Sequence, residues 1–227
     1  MYKLIFGVLI IIFLGCSDST INPNSNQIGL EYFPMQVGDF KIYDIEETNF
    51  SVLGSETSIY QLKESVADSF LNIENQFSYI INRETRINDT HEWVLDSVWT
   101  ARVTNQYAVL VENNRSIMKL VFPIEHGLQW DGNALNSKSE KIFTYNLNIG
   151  DTILMENQFS NLSKIIQSDI EENLINRNES FEIYAKDVGL IIKNSIILEY
   201  CQTDCPETKT VDSGRIYKAT LSVYGKE

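Results

Sequence analysis

The stretch "GRIYKATLSVYG", Gly214 to Gly225, decides the fold class. In an extended chain successive side chains point to opposite faces, so Ile216, Lys218, Thr220 and Ser222 share one side and Tyr217, Ala219, Leu221 and Val223 the other. One face packs and the other stays wet. The same vocabulary of Ile, Val, Tyr, Phe and Thr recurs in short runs. They include "FKIYDIE" (Phe40 to Glu46), "QFSYIINRETRI" (Gln76 to Ile87), "HEWVLDSVWTARV" (His91 to Val103) and "QYAVLVEN" (Gln106 to Asn113). "SIMKLVF" (Ser116 to Phe122), "EKIFTYNL" (Glu140 to Leu147), "NLSKIIQSDI" (Asn161 to Ile170) and "GLIIKNSIILEY" (Gly189 to Tyr200) continue the series. Residues of these types fit a pleated surface. Asn88-Asp89, Asn113-Asn114 and Asp131-Gly132-Asn133 supply turns between the runs, as hairpins of an antiparallel meander require.

One segment competes with this reading. In "IYQLKESVADSFL", Ile59, Leu62, Val66 and Phe70 stand near helical spacing. Read as a strand, Tyr60, Leu62, Glu64 and Val66 share a face, with Glu64 its odd member; the surrounding β context favours the strand over residues 59–70. No long amphipathic helix separates the runs, so parallel β-α-β units are not expected. The predicted class is all-β and predominantly antiparallel: a curved sheet or open half-barrel with at most one or two short helices.

The other end of the chain states an address. The apolar run Leu4 to Leu14 rises roughly 16 Å as a helix, short of a bilayer core of about 30 Å. It follows Lys3 and ends at the small residue Gly15, the layout of an export signal. Phe13-Leu14-Gly15-Cys16 resembles a bacterial lipobox, with Phe13 where Leu is usual. The resemblance implies cleavage before Cys16 and acylation of its sulfur and new amino group, and two or three chains hold a protein firmly to a membrane. Residues 1–15 are therefore expected to be a lipoprotein signal peptide. Residues 16–29, polar and rich in Ser and Asn, are expected to form a flexible tether, and residues 30–227 one β-rich body.

The formal net charge of −13 repels phosphate backbones and anionic headgroups, which argues against nucleic acid as a partner. With Cys16 committed to lipid, Cys201 and Cys205 remain, and an oxidising envelope favours joining them. Their C-x₃-C spacing is not that of a thioredoxin-type redox pair, and a zinc site would need two further ligands.

"YFPMQVGDFKIYD" (Tyr32 to Asp44) and "VFPIEHGLQWDGN" (Val121 to Asn133) share an aromatic-Pro-aliphatic opening followed by Gly, with Phe33 and Phe122 aligned. Each reads as a corner feeding a strand, which raises the option of two related halves, 30–120 and 121–227. These motifs, with "YAKDVGLI" at Tyr184 to Ile191, resemble a group of uncharacterised bacterial envelope lipoproteins carrying FPLxxGxxW, then FPxxxGxxWxGN, then YAKxVGLI. Lys41 follows Phe40 where that group usually has Trp. The resemblance implies an extracytoplasmic β-rich body and brings no known activity.

Catalytic and cofactor signatures are missing from the sequence: no G-x-S-x-G, H-E-x-x-H, phosphate-binding loop or dinucleotide fingerprint occurs. His91 and His126 read as surface or turn residues. Glu46-Glu47 and Glu171-Glu172 are adjacent and so point to opposite faces of a strand. Asp131 and Asn133 read as a turn rather than a calcium site. Trp93, Trp99 and Trp130 are candidates for an aromatic binding surface, with core packing as the competing role. The expectation is a non-enzymatic cell-envelope lipoprotein without cofactor or metal, lipid-anchored at the outer membrane, on its periplasmic face or at the cell surface. It would bind an envelope protein, a lipid or a glycan; the alternatives are an assembly subunit of an envelope complex and, behind that, a cryptic hydrolase.

Overall fold

The computed structural model describes residues 28–154 and 157–227; Cys16, the expected signal peptide and the expected tether up to residue 27 lie outside them. The structure is nearly all antiparallel β. After a 3₁₀ turn at Leu30–Tyr32 come β1 (Asp39–Ser51), β2 (Gly54–Leu71), β3 (Phe77–Arg86), β4 (Val94–Val103), β5 (Tyr107–Glu112), β6 (Arg115–Val121) and β7 (Gln129–Asp131). Then follow β8 (Ile142–Asn146), β9 (Thr152–Leu154), β10 (Asn157–Phe159), β11 (Leu162–Glu172), β12 (Asn176–Ala185), β13 (Gly189–Tyr200) and β14 (Val211–Lys226). The segment 59–70 lies within β2, as its surroundings suggested.

Twelve strands form one sheet in the order β6-β5-β4-β3-β2-β1-β14-β13-β12-β11-β8-β7, and β9 and β10 make a separate hairpin. Neighbours in the sheet are neighbours in sequence, with two exceptions: β11 pairs with β8, past the β9–β10 hairpin, and β14 returns to pair with β1 from Asp39↔Lys226 to Phe50↔Gly214. Every pairing is antiparallel, so the sheet is an up-and-down meander wound around an axis. It curls until its edge strands β6 and β7 meet. There the amide of Met118 donates to the carbonyl of Gly132 at 2.9 Å, and the Trp130 indole donates to the Met118 carbonyl at 2.9 Å. The Tyr145 hydroxyl donates to the Val121 carbonyl at 2.8 Å and accepts from the Val121 amide at 3.1 Å. The open half-barrel expected from the sequence is thus wound further, into a nearly closed barrel.

The two Phe-Pro motifs each lead into a strand, β1 in the middle of the sheet and β7 at its edge. Phe33-Pro34 precedes β1 and Phe122-Pro123, a cis peptide, precedes β7, and both phenylalanines are buried in one apolar cluster with Trp130, Phe143, Tyr145 and Tyr184. A second cluster gathers Tyr43, Ile45, Leu62, Ile191, Ala219 and Leu221 on the opposite wall. Fully burying such side chains stabilises by roughly 1.5–3 kcal/mol each. Ile28 and Gly29, the last residues of the expected tether, are seated on the body: the Ile124 amide donates to the Ile28 carbonyl at 3.2 Å.

Strand direction alternates, so Ile28, the C-terminus and the β2–β3, β4–β5, β6–β7 and β12–β13 connections gather at one end, called the base. The β1–β2, β3–β4, β5–β6, β11–β12 and β13–β14 connections form the other end, called the mouth. The wall is uneven. β1, β2 and β14 have 13, 18 and 16 residues, whereas β5, β6, β7 and β8 have 6, 7, 3 and 5. From Gly54 to Tyr60, β2 runs on past its last β3 partner, since that pairing begins at Gln61↔Arg86. Cys201 and Cys205 form a disulfide in the β13–β14 connection at the mouth, with Cα atoms 5.7 Å apart.

Candidate functional site

A twelve-stranded barrel is too wide for its own side chains to fill, and the interior here is a site of two chambers. At the base, Phe33, Pro34 and Met35 cross the opening as a plug, with the Phe33 ring stacked on Tyr184 at 6.3 Å. Gly189, in the left-handed region at φ 90°, lets the Lys41 side chain and the Pro34 ring pass close: a Cβ there would lie 3.3 Å from both. The inner chamber above the plug holds about 70 Å³, room for a few water molecules.

A layer of charge crosses the barrel above it. Lys119 lies 2.5 Å from Glu182 and 3.2 Å from Glu112, Lys193 lies 3.5 Å from the same Glu182 oxygen, and the Tyr184 hydroxyl donates to the other at 2.8 Å. Across the lumen, Arg83 donates to Glu64 at 3.0 Å and lies over the Trp99 ring at 3.7 Å. Glu64, the odd member of the β2 pattern, is therefore an interior residue with a partner. Burial acts to raise the Glu182 pKa, but Lys119 and Lys193 together hold it down at about 2. Burial likewise opposes ionisation of Glu112 and Lys193, and the same ring of opposite charges overrides it, lowering the first and raising the second. Lys41, deeper and with less compensation, is pushed down by burial.

Toward the mouth the lumen widens into an outer chamber of about 530 Å³. Its wall carries Tyr60, Trp99, Phe143 and Tyr217 as rings, Gln167, Ser180 and Ser195 as neutral polar groups, and six cations against two carboxylates, Asp96 and Glu112. Three of the cations, Arg83, Lys119 and Lys193, belong to the charge layer. Arg215 is paired at 2.8 Å with Glu47, which also accepts from the Tyr60 hydroxyl at 3.0 Å. Arg115 and Lys141 have no ion pair among the described residues. Burial is the main cause that pushes the Lys141 pKa down; Lys119 and Lys193 add to it, and Glu182 and Glu112 oppose it. Two buried donors in this chamber have no acceptor: Trp99 Nε1 and Gln167 Nε2, the latter on a side chain only 7% exposed. A protein of net charge −13 thus encloses a chamber whose wall is predominantly positive.

The three tryptophans occupy three different places. Trp99 is inside the lumen. Trp93 lies just before β4 against Arg86, 4.3 Å from its guanidinium carbon, and Arg86 is on the outer face, three residues from the inward Arg83. Trp130 is packed against Phe143 and Tyr145 at the β6–β7 junction. His91 is in the β3–β4 connection at the mouth, its Nδ1 2.8 Å from Asn88, and His126 is at the base, accepting from the Leu147 amide at 3.1 Å. Asp131 accepts from the amides of Asn133 and Lys141, both at 2.8 Å, which makes it the hinge of a turn. The charged lumen itself went unforeseen, and the signal that pointed to it was Glu64.

No protein family and no curated protein matches the chain. Among solved structures it is similar to a "putative lipoprotein" from Parabacteroides distasonis ATCC 8503, at 11% identity over 86% of this chain and 98% of that one, with a TM-score of 0.42.

Proposed function

We propose that this protein is a non-enzymatic envelope lipoprotein, anchored through acylated Cys16, whose barrel lumen holds a small-molecule ligand. The observation that carries this reading is the outer chamber. A volume of about 530 Å³ falls within the range of small-molecule sites, roughly 300–1,000 Å³, and its wall combines rings with a few convergent polar groups. Buried donors are ordinarily satisfied, and the unpartnered Trp99 and Gln167 atoms are what a ligand's acceptors would complete. The leader and Cys16 supply the address. Ile28, the first described residue, is at the base, at the opposite end of the barrel from the mouth.

Native mass spectrometry of the full chain, released from its own membranes in a neutral detergent, tests the reading. A small molecule is expected to co-purify stoichiometrically, and to be lost from a variant that fills the chamber, Ser195→Phe. Retention of the same molecule by Ser195→Phe would place binding elsewhere and defeat the proposal.

A further inference from the structure

Building on the lumen as the binding site, we infer that its ligand carries an oxyanion, a carboxylate or a phosphate, which docks at the mouth against Arg115, Lys141 and Gln167. These three residues, with Asn133, line both the outer chamber and the groove that continues from it over the short wall, so they surround one opening. The unpartnered atoms of the chamber are all of one kind. An indole N–H can only donate, the free Gln167 atom is an amide nitrogen whose companion oxygen accepts from Ser180 at 3.2 Å, and Arg and Lys have donors alone. A neutral hydroxyl compound would offer these donors uncharged acceptors alone. An oxyanion brings acceptors only, and hydrogen bonds from charged donors to it are the stronger kind.

Charge points the same way. The carboxylates of the deep layer are already engaged by Lys119, Lys193 and Arg83, whereas Arg115 and Lys141 face the opening with no ion-pair partner among the described residues. Inside an acidic exterior this leaves a positive well at the mouth, which draws an anion past the repelling surface to a single place.

The full chain in neutral detergent, carrying Trp93→Phe to silence the outer tryptophan, is titrated with citrate, glucose 6-phosphate and glucose, and the fluorescence change of the remaining indoles is followed. At least one of the two anions is expected to bind, with affinity falling as salt rises and weakening at least tenfold in the Arg115→Gln/Lys141→Gln double variant. A preference for citrate assigns a carboxylate, and one for glucose 6-phosphate a phosphate. Both substitutions are at exposed positions, and equal thermal midpoints for parent and double variant show that the fold is intact. Glucose binding as tightly as glucose 6-phosphate, unchanged in the double variant, overturns the oxyanion while leaving the lumen as the site. Binding of neither anion also overturns it, and the co-purification experiment then judges the lumen by itself.

Discussion

Glu182 is a carboxylate with no exposed surface, and its ionisation is maintained by two ammonium groups and a tyrosine hydroxyl. Its folded pKa, about 2, is below the ordinary value of 4.5, so the stability it contributes is complete above about pH 5 and is lost as pH falls toward 2. The amount is on the order of 3 kcal/mol, and Glu112 adds to it with the same sign. Glu182→Gln imitates the protonated form and leaves Lys119 and Lys193 undercompensated, a loss of about 3–5 kcal/mol for a broken buried pair. Urea midpoints should therefore differ widely between parent and variant at pH 7 and draw together, by about half, at pH 3. A gap that stays constant between the two pH values would mean that Glu182 does not titrate as described.

At the scale of the strand, glycine and polarity set what the sequence discloses. Gly214 opens the alternating stretch of β14 at φ 133°, and a Cβ there would fall 2.2 Å from the Ile197 carbonyl oxygen and 2.8 Å from the Leu198 Cα. Backbone atoms cannot yield as a side-chain tip can. Gly214→Ala should cost more than about 2 kcal/mol, whereas Gly150→Ala, with nothing within 4 Å, should stay within about 0.5 kcal/mol of the parent in thermal unfolding. Strands rich in Ile, Leu and Val were legible: the run Gly189 to Tyr200 is β13 itself, and Asn113-Asn114 is the positive-φ turn between β5 and β6. β12 was missed because its pattern is inverted. Ser180, Glu182 and Tyr184 point into the lumen while Phe181 and Ile183 are half-buried outside, with Lys164 over the Phe181 ring at 4.1 Å. Alternation read as apolar-inside cannot register a strand that lines a charged interior. The same inversion concealed the site, since Lys41, Arg83, Glu112, Lys119 and Lys193 look singly like surface residues and become one layer only when the barrel closes.

Over the whole molecule, the junction of β6 and β7 is the weakest course of the wall. Elsewhere adjoining strands share ladders, such as the run from Asp39↔Lys226 to Phe50↔Gly214, but here one backbone bond and a few side chains hold the edges. Tyr145→Phe removes the hydroxyl that serves both the amide and the carbonyl of Val121, a loss of about 1–3 kcal/mol. Hydrogen exchange should quicken at Met118 and Val121 while the β1 and β14 amides keep their rates; equal acceleration everywhere would show that the junction does not open by itself. The unequal strand lengths have a consequence for the proposed ligand. With β1 and β2 tall and β5 to β8 short, the mouth is a notch cut down one side, and Arg115 and Lys141 sit at its lowered sill. A notch limits the girth of a guest but not its length: the end of a long chain can lie in the lumen while the rest leaves sideways over the sill.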